Sequence, residues 1–250
     1  MMTRLPRAVV WHMFLRSFAI QGSWNYRTLQ GSGFAYALLP VLRFVYRDDD
    51  AALQDAVIRH SALFNAHPYL AGVALGAVAR MELDGEPPAM IERFKTALRG
   101  SLGTLGDRLV WAGWRPACVL LGLVVLLATS SATAAIIVFL IVYNAGHVAL
   151  RWWGLHIGVQ HGRQVGERLR RAPLGLWHDR VVSAAAFLLG AALPLIAGGA
   201  LTDIQLPAIW LTLPAGAAVA GWFMAGSVRT PALALLVITS IAGLFFRAAS

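Results

Sequence analysis

The sequence predicts an all-α, polytopic membrane protein, and three observations support this fold class. Hydrophobic residues make up 58% of the chain and charged residues only 13%, whereas soluble domains average about 25% charged residues. The mean hydropathy is +0.64. Apolar segments long enough to cross a bilayer fill the second part of the chain, and about five spanning helices are expected. We therefore divide the chain into an amphipathic, cytoplasm-facing helical part (1–108) and a transmembrane helical part (109–250).

The amino-terminal part opens with an amphipathic helix. Apolar residues from Val9 to Leu15 form one face, and Arg7 and Arg16 lie beside it, a pattern that suits a helix lying on an anionic leaflet. Amide side chains follow at Asn25 and Gln30. Such groups suit a hydroxyl-rich ligand, and they equally suit a turn whose hydrogen bonds are satisfied within the chain.

A run of acids, Asp48–Asp50, predicts the start of the next helix because negative charge stabilises a helix amino terminus. Its helical spacing continues to Phe64 and is expected to end near Asn65 and Pro68. The apolar segment Tyr69–Ala79 then covers only about 16 Å as a helix, which is too short to span. A re-entrant or packed helix is predicted there, and Pro87-Pro88 opens another helix.

Hydropathy places the spanning helices in the remainder of the chain. From Arg151 to Arg180 there are six arginines and two acids, which predicts a cytoplasmic segment between spans. The amino-terminal part is then on the same side. The five predicted spans are Leu109–Ala128, Ala132–Leu150, Val181–Ala200, Pro207–Ala225 and Ala232–Phe246.

The stretch from Gly100 to Pro116 carries the most informative pattern, at the entry to the first span. Three glycines keep one side of a helix bare: Gly100, Gly103 and Gly106. An acid, a ring and a base then share one helical face: Asp107, Trp111 and Arg115. Ionisable residues near a bilayer are costly, which favours a functional role. Tight helix packing with an ordinary interfacial anchor is the alternative.

The second span ends in a polar stripe that continues into a glycine ridge. Asn144, His147 and Arg151 lie on one helical face, and they indicate either a functional group or hydrogen bonding between helices. Every fourth residue beyond is a glycine, which predicts a close helix crossing. These ridge residues are Gly154, Gly158, Gly162 and Gly166.

Several catalytic chemistries have no motif in this sequence. It contains no glycine-rich phosphate loop, no HExxH metal pair and no GxSxG turn, and Cys118 is its one cysteine. We expect no catalytic residue, no metal and no cofactor. The basic residues flank apolar segments instead of forming a stripe, so nucleic acid is not an expected partner.

Four segments resemble successive motifs of one family. They read SWNYRTLQGSGFAYALLP, RHSALFNAHPYLAG, GSLGTLGDRLVWAGWRP and VYNAGHVALRWWGLHIGVQHG. These segments are similar to the IID membrane subunit of the mannose/fructose/sorbose-family phosphotransferase system (PTS). The resemblance runs from about Phe14 to Gly166.

The resemblance implies a subunit of a sugar permease in the bacterial cytoplasmic membrane. Such a subunit forms a hetero-oligomer with a IIC membrane subunit and takes part in translocating a hexose-class sugar. The cytoplasmic IIA and IIB carriers transfer the phosphoryl group, so the chain is not an enzyme on its own. A divergent regulatory or scaffold protein that keeps IIC binding without sugar flux is the alternative.

Two sets of residues are expected to serve that function. The first set would position the mobile core: Gly100, Gly103, Gly106, Asp107, Trp111 and Arg115. The second set would provide polar lining of the substrate pathway: Asn25, Gln30, Asn65, Asn144 and His147.

Overall fold

The computed structural model describes residues 4–200, which are helical over most of their length. The helices are α1 (Arg7–Ser17), α2 (Gly31–Val45), α3 (Asp50–His60), α4 (Ala71–Leu83), α5 (Pro88–Gly106), α6 (Arg115–Thr129), α7 (Ala132–His161), α8 (Val165–Arg171) and α9 (Leu174–Ala200). A π-helix (Asp107–Trp114) joins α5 to α6, and a 3₁₀ turn (Gly162–Gln164) joins α7 to α8.

Three continuous helical stretches are long and apolar enough to cross a membrane: Pro88–Thr129, Ala132–Arg171 and Leu174–Leu193. They overlap the first three predicted spans, and the all-α membrane fold class is confirmed. The predicted spans Pro207–Ala225 and Ala232–Phe246 lie outside the described residues.

The described chain forms two compact units. The first consists of residues 4–109 and 145–174, and the second contains residues 110–144 and 175–200. The first unit therefore brings the amino-terminal helices together with the end of α7 and all of α8.

Helix α4 lies at the centre of the first unit. Residues 71–79 are buried without exception, so the segment predicted as re-entrant or packed is a packed helix that extends to Leu83. The large buried side chains around it include Phe34, Leu38 and Phe64. A helix buried on all sides needs apolar residues on every face, which this sequence supplies.

Helix α3 begins as predicted but ends earlier. The carboxylate of Asp49 accepts a hydrogen bond of 2.9 Å from the Ala52 amide, which makes Asp49 the N-cap. The helix ends at His60, not near Asn65. The Phe64 amide instead donates to the Thr28 carbonyl, and this tertiary pairing competes with further helix.

Glycines allow α4 and α7 to cross at close range. A Cβ on Gly158 would contact the Val73 carbonyl oxygen and lie 2.7 Å from the Ala77 nitrogen. On the facing helix, a Cβ on Gly76 would contact the Leu155 carbonyl oxygen. Only residues without a side chain permit such an approach between helix backbones.

The second unit packs α6 against the first half of α7. The Trp114 indole donates a hydrogen bond of 3.3 Å to the Tyr143 carbonyl. A Cβ on Gly122 would lie 3.5 Å from the Ala135 carbonyl oxygen and 3.5 Å from Cβ of Phe139. These are ordinary contact distances, so this helix pair packs without requiring a glycine at position 122.

Candidate functional site

Arg151 is the central residue of a polar cluster in the first unit. Its side chain lies on α7 and the residue is only 3% exposed. One terminal nitrogen donates to the Ser17 carbonyl, and Nε donates to Nε2 of His147 at 3.2 Å. Ser17 is the last residue of α1, where carbonyls lack α-helical partners, and its carbonyl also accepts a hydrogen bond of 3.2 Å from the Ile20 amide. Arg151 therefore caps α1 and fixes its end against α7.

Aromatic rings surround the same guanidinium. Its central carbon lies 4.8 Å from the Phe18 ring centroid and 5.7 Å from the Tyr69 centroid, both within cation–π range. Among residues 4–200, no carboxylate lies within 4.0 Å of Arg151. Helix-end carbonyl and ring faces thus stabilise this charge in place of a carboxylate.

His147 and Tyr69 form a stacked pair beside Arg151. Their ring centroids are 3.9 Å apart and their planes differ by 14°. Because Nε2 of His147 accepts from Arg151, the proton of a neutral imidazole is on Nδ1. The arginine thereby selects one tautomer of the histidine.

His67 extends the cluster towards the start of the π-helix. Its Nδ1 accepts a hydrogen bond of 3.2 Å from the Tyr69 amide. Burial lowers the pKa of His67 to about 4; the Asp107 charge acts in the opposite direction, and Arg151 lowers the pKa further. His67 is therefore a neutral imidazole at pH 7.

Gly106 is the residue through which α5, the helix that leads into the first span, contacts His67. A Cβ at position 106 would overlap Cβ and Cγ of His67. In contrast, nothing lies within 4 Å of a Cβ built on Gly100 or Gly103. These three glycines thus have different surroundings: His67 occupies the space beside Gly106, whereas Gly100 and Gly103 face open space.

The three residues after the glycines were predicted to share one α-helical face, but they belong to or follow a π-helix (Asp107–Trp114). Such i→i+5 turns are rare and recur at functional sites. Asp107 is exposed, and the Arg115 guanidinium lies 5.3 Å from the Trp111 ring centroid.

The predicted lining residues have separate local roles. Asn25 closes a turn by accepting from the amides of Arg27 and Thr28 at 3.0 and 2.9 Å. Gln30 is buried, and its amide pairs with both backbone groups of Ala66 at 2.8 and 3.2 Å. In both cases the amide group stabilises a loop.

The other two predicted amides are exposed. Asn65 lies on the loop that also carries His67. Asn144 donates to the Leu140 carbonyl one turn earlier, at 2.7 Å.

Three of the ridge glycines lie against α4 and one does not. Gly154 and Gly158 contact Val73. Gly162 has a φ of +49° and ends α7 beside Arg80, whereas Gly166 has nothing within 4 Å of an added Cβ.

A second polar network surrounds Glu82, and sequence reasoning missed it. The Glu82 carboxylate accepts from Tyr46 at 2.6 Å and from Arg59 at 2.8 Å, and it lies 2.6 Å from Nε2 of His60. Lys95 donates to the His60 carbonyl at 2.8 Å. The signal available in the sequence for this network was Glu82 itself, an acidic residue near the end of an apolar segment. The network joins the residue that follows α2 to helices α3, α4 and α5.

The network fixes the charge state of its members. Burial opposes ionisation of Glu82, but hydrogen bonds from His60, Arg59 and Tyr46 outweigh it and lower the pKa to about 2. Burial lowers the pKa of His60, although Glu82 opposes this effect. Burial and the neighbouring carboxylate raise the pKa of Tyr46. The network therefore contains an ionised carboxylate, a neutral imidazole and a neutral phenol at pH 7.

Both clusters link helices of the first unit through buried hydrogen bonds. No group of three or more His, Cys, Asp or Glu residues in the described part of the chain could hold a metal ion. The Arg151 cluster joins three of the four sequence motifs that resemble one family. Ser17, His67 and Tyr69 were not singled out from sequence as site residues, although His67 and Tyr69 lie within one of those motifs.

Comparison with known proteins identifies the family. A family profile described as "PTS system mannose/fructose/sorbose family IID component" matches residues 4–193. The chain is 30% identical to the mannose-specific EIID component of Escherichia coli K12 over 164 residues, which cover 64% of this chain and 57% of that protein. It is 34% identical to the sorbose-specific EIID component of Klebsiella pneumoniae over 158 residues, which cover 60% and 56%. The matched segments thus span little more than half the length of these relatives.

A solved structure shows the same fold. A chain of the cryo-EM structure of the mannose transporter ManYZ with microcin E492 aligns with a TM-score of 0.60 and 22% identity, covering 99% of this chain and 98% of that chain. The profile match covers more than half of the sequence, so the chain belongs to the mannose/fructose/sorbose family of PTS IID components.

Proposed function

We propose that this chain is the IID subunit of a sugar permease in the bacterial cytoplasmic membrane. It forms a hetero-oligomer with a IIC subunit, and cytoplasmic IIA and IIB carriers phosphorylate a hexose-class sugar as it enters. The match of the family profile over residues 4–193 is the observation that carries this proposal. The names of the mannose- and sorbose-specific relatives support the substrate class.

In this proposal the chain has no catalytic residue and acts by positioning. The Arg151 cluster holds α1, the loop with His67 and α7 as one body, because each supplies a hydrogen bond or a ring to the cluster. Rigid anchoring of this kind lets a subunit move without internal rearrangement.

The open glycines supply the surface for the second membrane subunit. Gly100 and Gly103 have no neighbour within 4 Å of an added Cβ, so a helix of IIC could approach the backbone closely there. Asp107, Trp111 and Arg115 continue this helix and position the mobile core. The proposal also includes a set of residues that provide polar lining of the substrate pathway: Asn25, Gln30, Asn65, Asn144 and His147.

Phosphorylation by isolated membranes tests the function. Membranes from a strain lacking the chain should lose phosphoenolpyruvate-dependent phosphorylation of mannose, fructose or sorbose, and the intact chain should restore it. Unchanged phosphorylation of all three sugars would contradict the transport role. Copurification with IIC without phosphorylation would instead support the regulatory or scaffold alternative.

A further inference from the structure

A polar cleft lies at the end of α7, away from the Arg151 cluster. It is an open surface cleft of about 400 Å³ along the last turns of α7 and helix α8, and most of its lining side chains are exposed. The size falls within the range of about 300–1,000 Å³ that small-molecule sites occupy. Neither the proposed positioning role nor the IIC contact uses this cleft.

The lining offers groups that bind hydroxyls and anions. Gln160 and Gln164 contribute amides. Nδ1 of His161 bonds to the Ile157 carbonyl at 3.0 Å, which leaves Nε2 for another partner. Amide and imidazole groups on one wall suit a polyhydroxylated ligand.

One guanidinium in the cleft is uncommitted. Arg171 and Glu167 both line the cleft and form an ion pair on the same helix, which offsets the charge of this carboxylate. Arg168 also lines the cleft, and among the described residues no carboxylate lies within 4.0 Å of it. A planar guanidinium matches the geometry of a phosphate and binds it through two parallel hydrogen bonds.

Helix length places the cleft outside the hydrocarbon layer. Ala132 to Arg151 covers about 28 Å along α7, close to the thickness of a hydrocarbon core. Gln160 lies about 13 Å further along the helix. Trp152 stacks on Trp11 at 4.8 Å, and tryptophans are enriched at the membrane–water interface. The cleft is therefore accessible to water-soluble ligands, and the surrounding arginines place it on the cytoplasmic side.

We propose that this cleft binds a soluble phosphomonoester of a polyol, the chemical class of sugar phosphates. Arg168 binds the phosphate, and the amides of Gln160 and Gln164 bind hydroxyls. The assignment of the polyol as a sugar rests on the proposed function, since a PTS permease releases phosphorylated sugar on this side. The cleft would then sense the product of transport.

Titration of the full chain in nanodiscs of zwitterionic lipid tests the proposal, with mannose 6-phosphate, inorganic phosphate and mannose as probes. We expect mannose 6-phosphate to bind, and Arg168→Gln to weaken it at least tenfold. The matched control is Arg170→Gln, which removes an exposed arginine of the same helix that does not line the cleft. This control should change affinity less than twofold.

Several outcomes would overturn the proposal. They are absence of mannose 6-phosphate binding at 10 mM, an affinity unaffected by Arg168→Gln, and equal losses in the two variants, which would indicate bulk charge. Displacement of the probe by anionic lipid in the nanodisc would assign the cleft to a lipid headgroup and contradict a soluble ligand. The titration requires no transport, so loss of the phosphorylation activity alone would reject the proposed function and leave this site standing.

Discussion

Replacing Gly106 with alanine tests the contact between the His67 loop and the helix that enters the membrane. The new Cβ would overlap Cβ and Cγ of His67 and lie 2.9 Å from its Nδ1. Carbon atoms in contact prefer about 3.5–4.0 Å. Since Cβ of His67 is attached to the backbone, a change of rotamer cannot remove the overlap. Overpacking of this kind costs about 1–3 kcal/mol.

Gly103→Ala is the matched control one turn earlier on the same helix. A Cβ there meets nothing within 4 Å, and alanine is favoured over glycine in a helix by about 0.8–1.0 kcal/mol. Because both glycines lie in α5, the gain in helix propensity applies to both variants, and they should differ by the overpacking cost of about 1–3 kcal/mol in the free energy of unfolding. Only the change at position 106 should destabilise the chain.

Denaturant titration of the detergent-solubilised chain, followed by tryptophan fluorescence, measures this difference. Equal stability of the two variants would refute the packing of His67 against Gly106.

The same two variants also test the surface that we propose contacts IIC. Gly103→Ala should stabilise the isolated chain but weaken copurification with IIC, and unaltered copurification would argue against IIC contacting this glycine.

Three further changes test the two polar clusters. Glu82→Gln should cost about 3 kcal/mol of stability, because breaking a buried ion pair leaves Arg59 uncompensated, and chemical denaturation measures it; a loss below 1 kcal/mol would contradict the network. Arg151→Met should speed amide hydrogen exchange in α1 about tenfold, because the Ser17 carbonyl loses the donor that ties it to α7, whereas Arg7→Met, an exposed control on the same helix, should not. Stability should fall as the pH drops from 6.5 towards 4, because the unfolded chain then binds a proton that folded His67, with its pKa of about 4, does not. His67→Gln should reduce this slope without abolishing it, because burial also lowers the pKa of His60, and an unchanged slope would refute the assignment.

The contribution of Glu82 to stability persists to lower pH than the contribution of His67. Its folded pKa of about 2 lies below the ordinary value of 4.5, so its contribution is complete above about 4.5 and is lost as the pH falls towards 2. Because His67→Gln leaves Glu82 intact, the decline below pH 4 should remain in that variant.

Hydropathy and local motifs determined the fold class and the family. The first three predicted spans overlap helical stretches that can cross a bilayer, because crossing depends on a sum over consecutive residues. Capping by Asp49 was also predictable, because its hydrogen bond joins residues only three positions apart in the sequence. The early end of α3 was not predictable, because Phe64 pairs with Thr28, far away in sequence.

Only the tertiary structure decided which polar residues meet. Arg151 reaches Ser17 across 134 positions, and Glu82 accepts hydrogen bonds from Tyr46, which follows α2, and from α3. No periodicity encodes such pairings, because a buried charge can be stabilised by any correctly placed donor, ring or helix end. The sequence by itself specified that His147 and Arg151 share a helical face, whereas the fold determined that this face holds the end of α1.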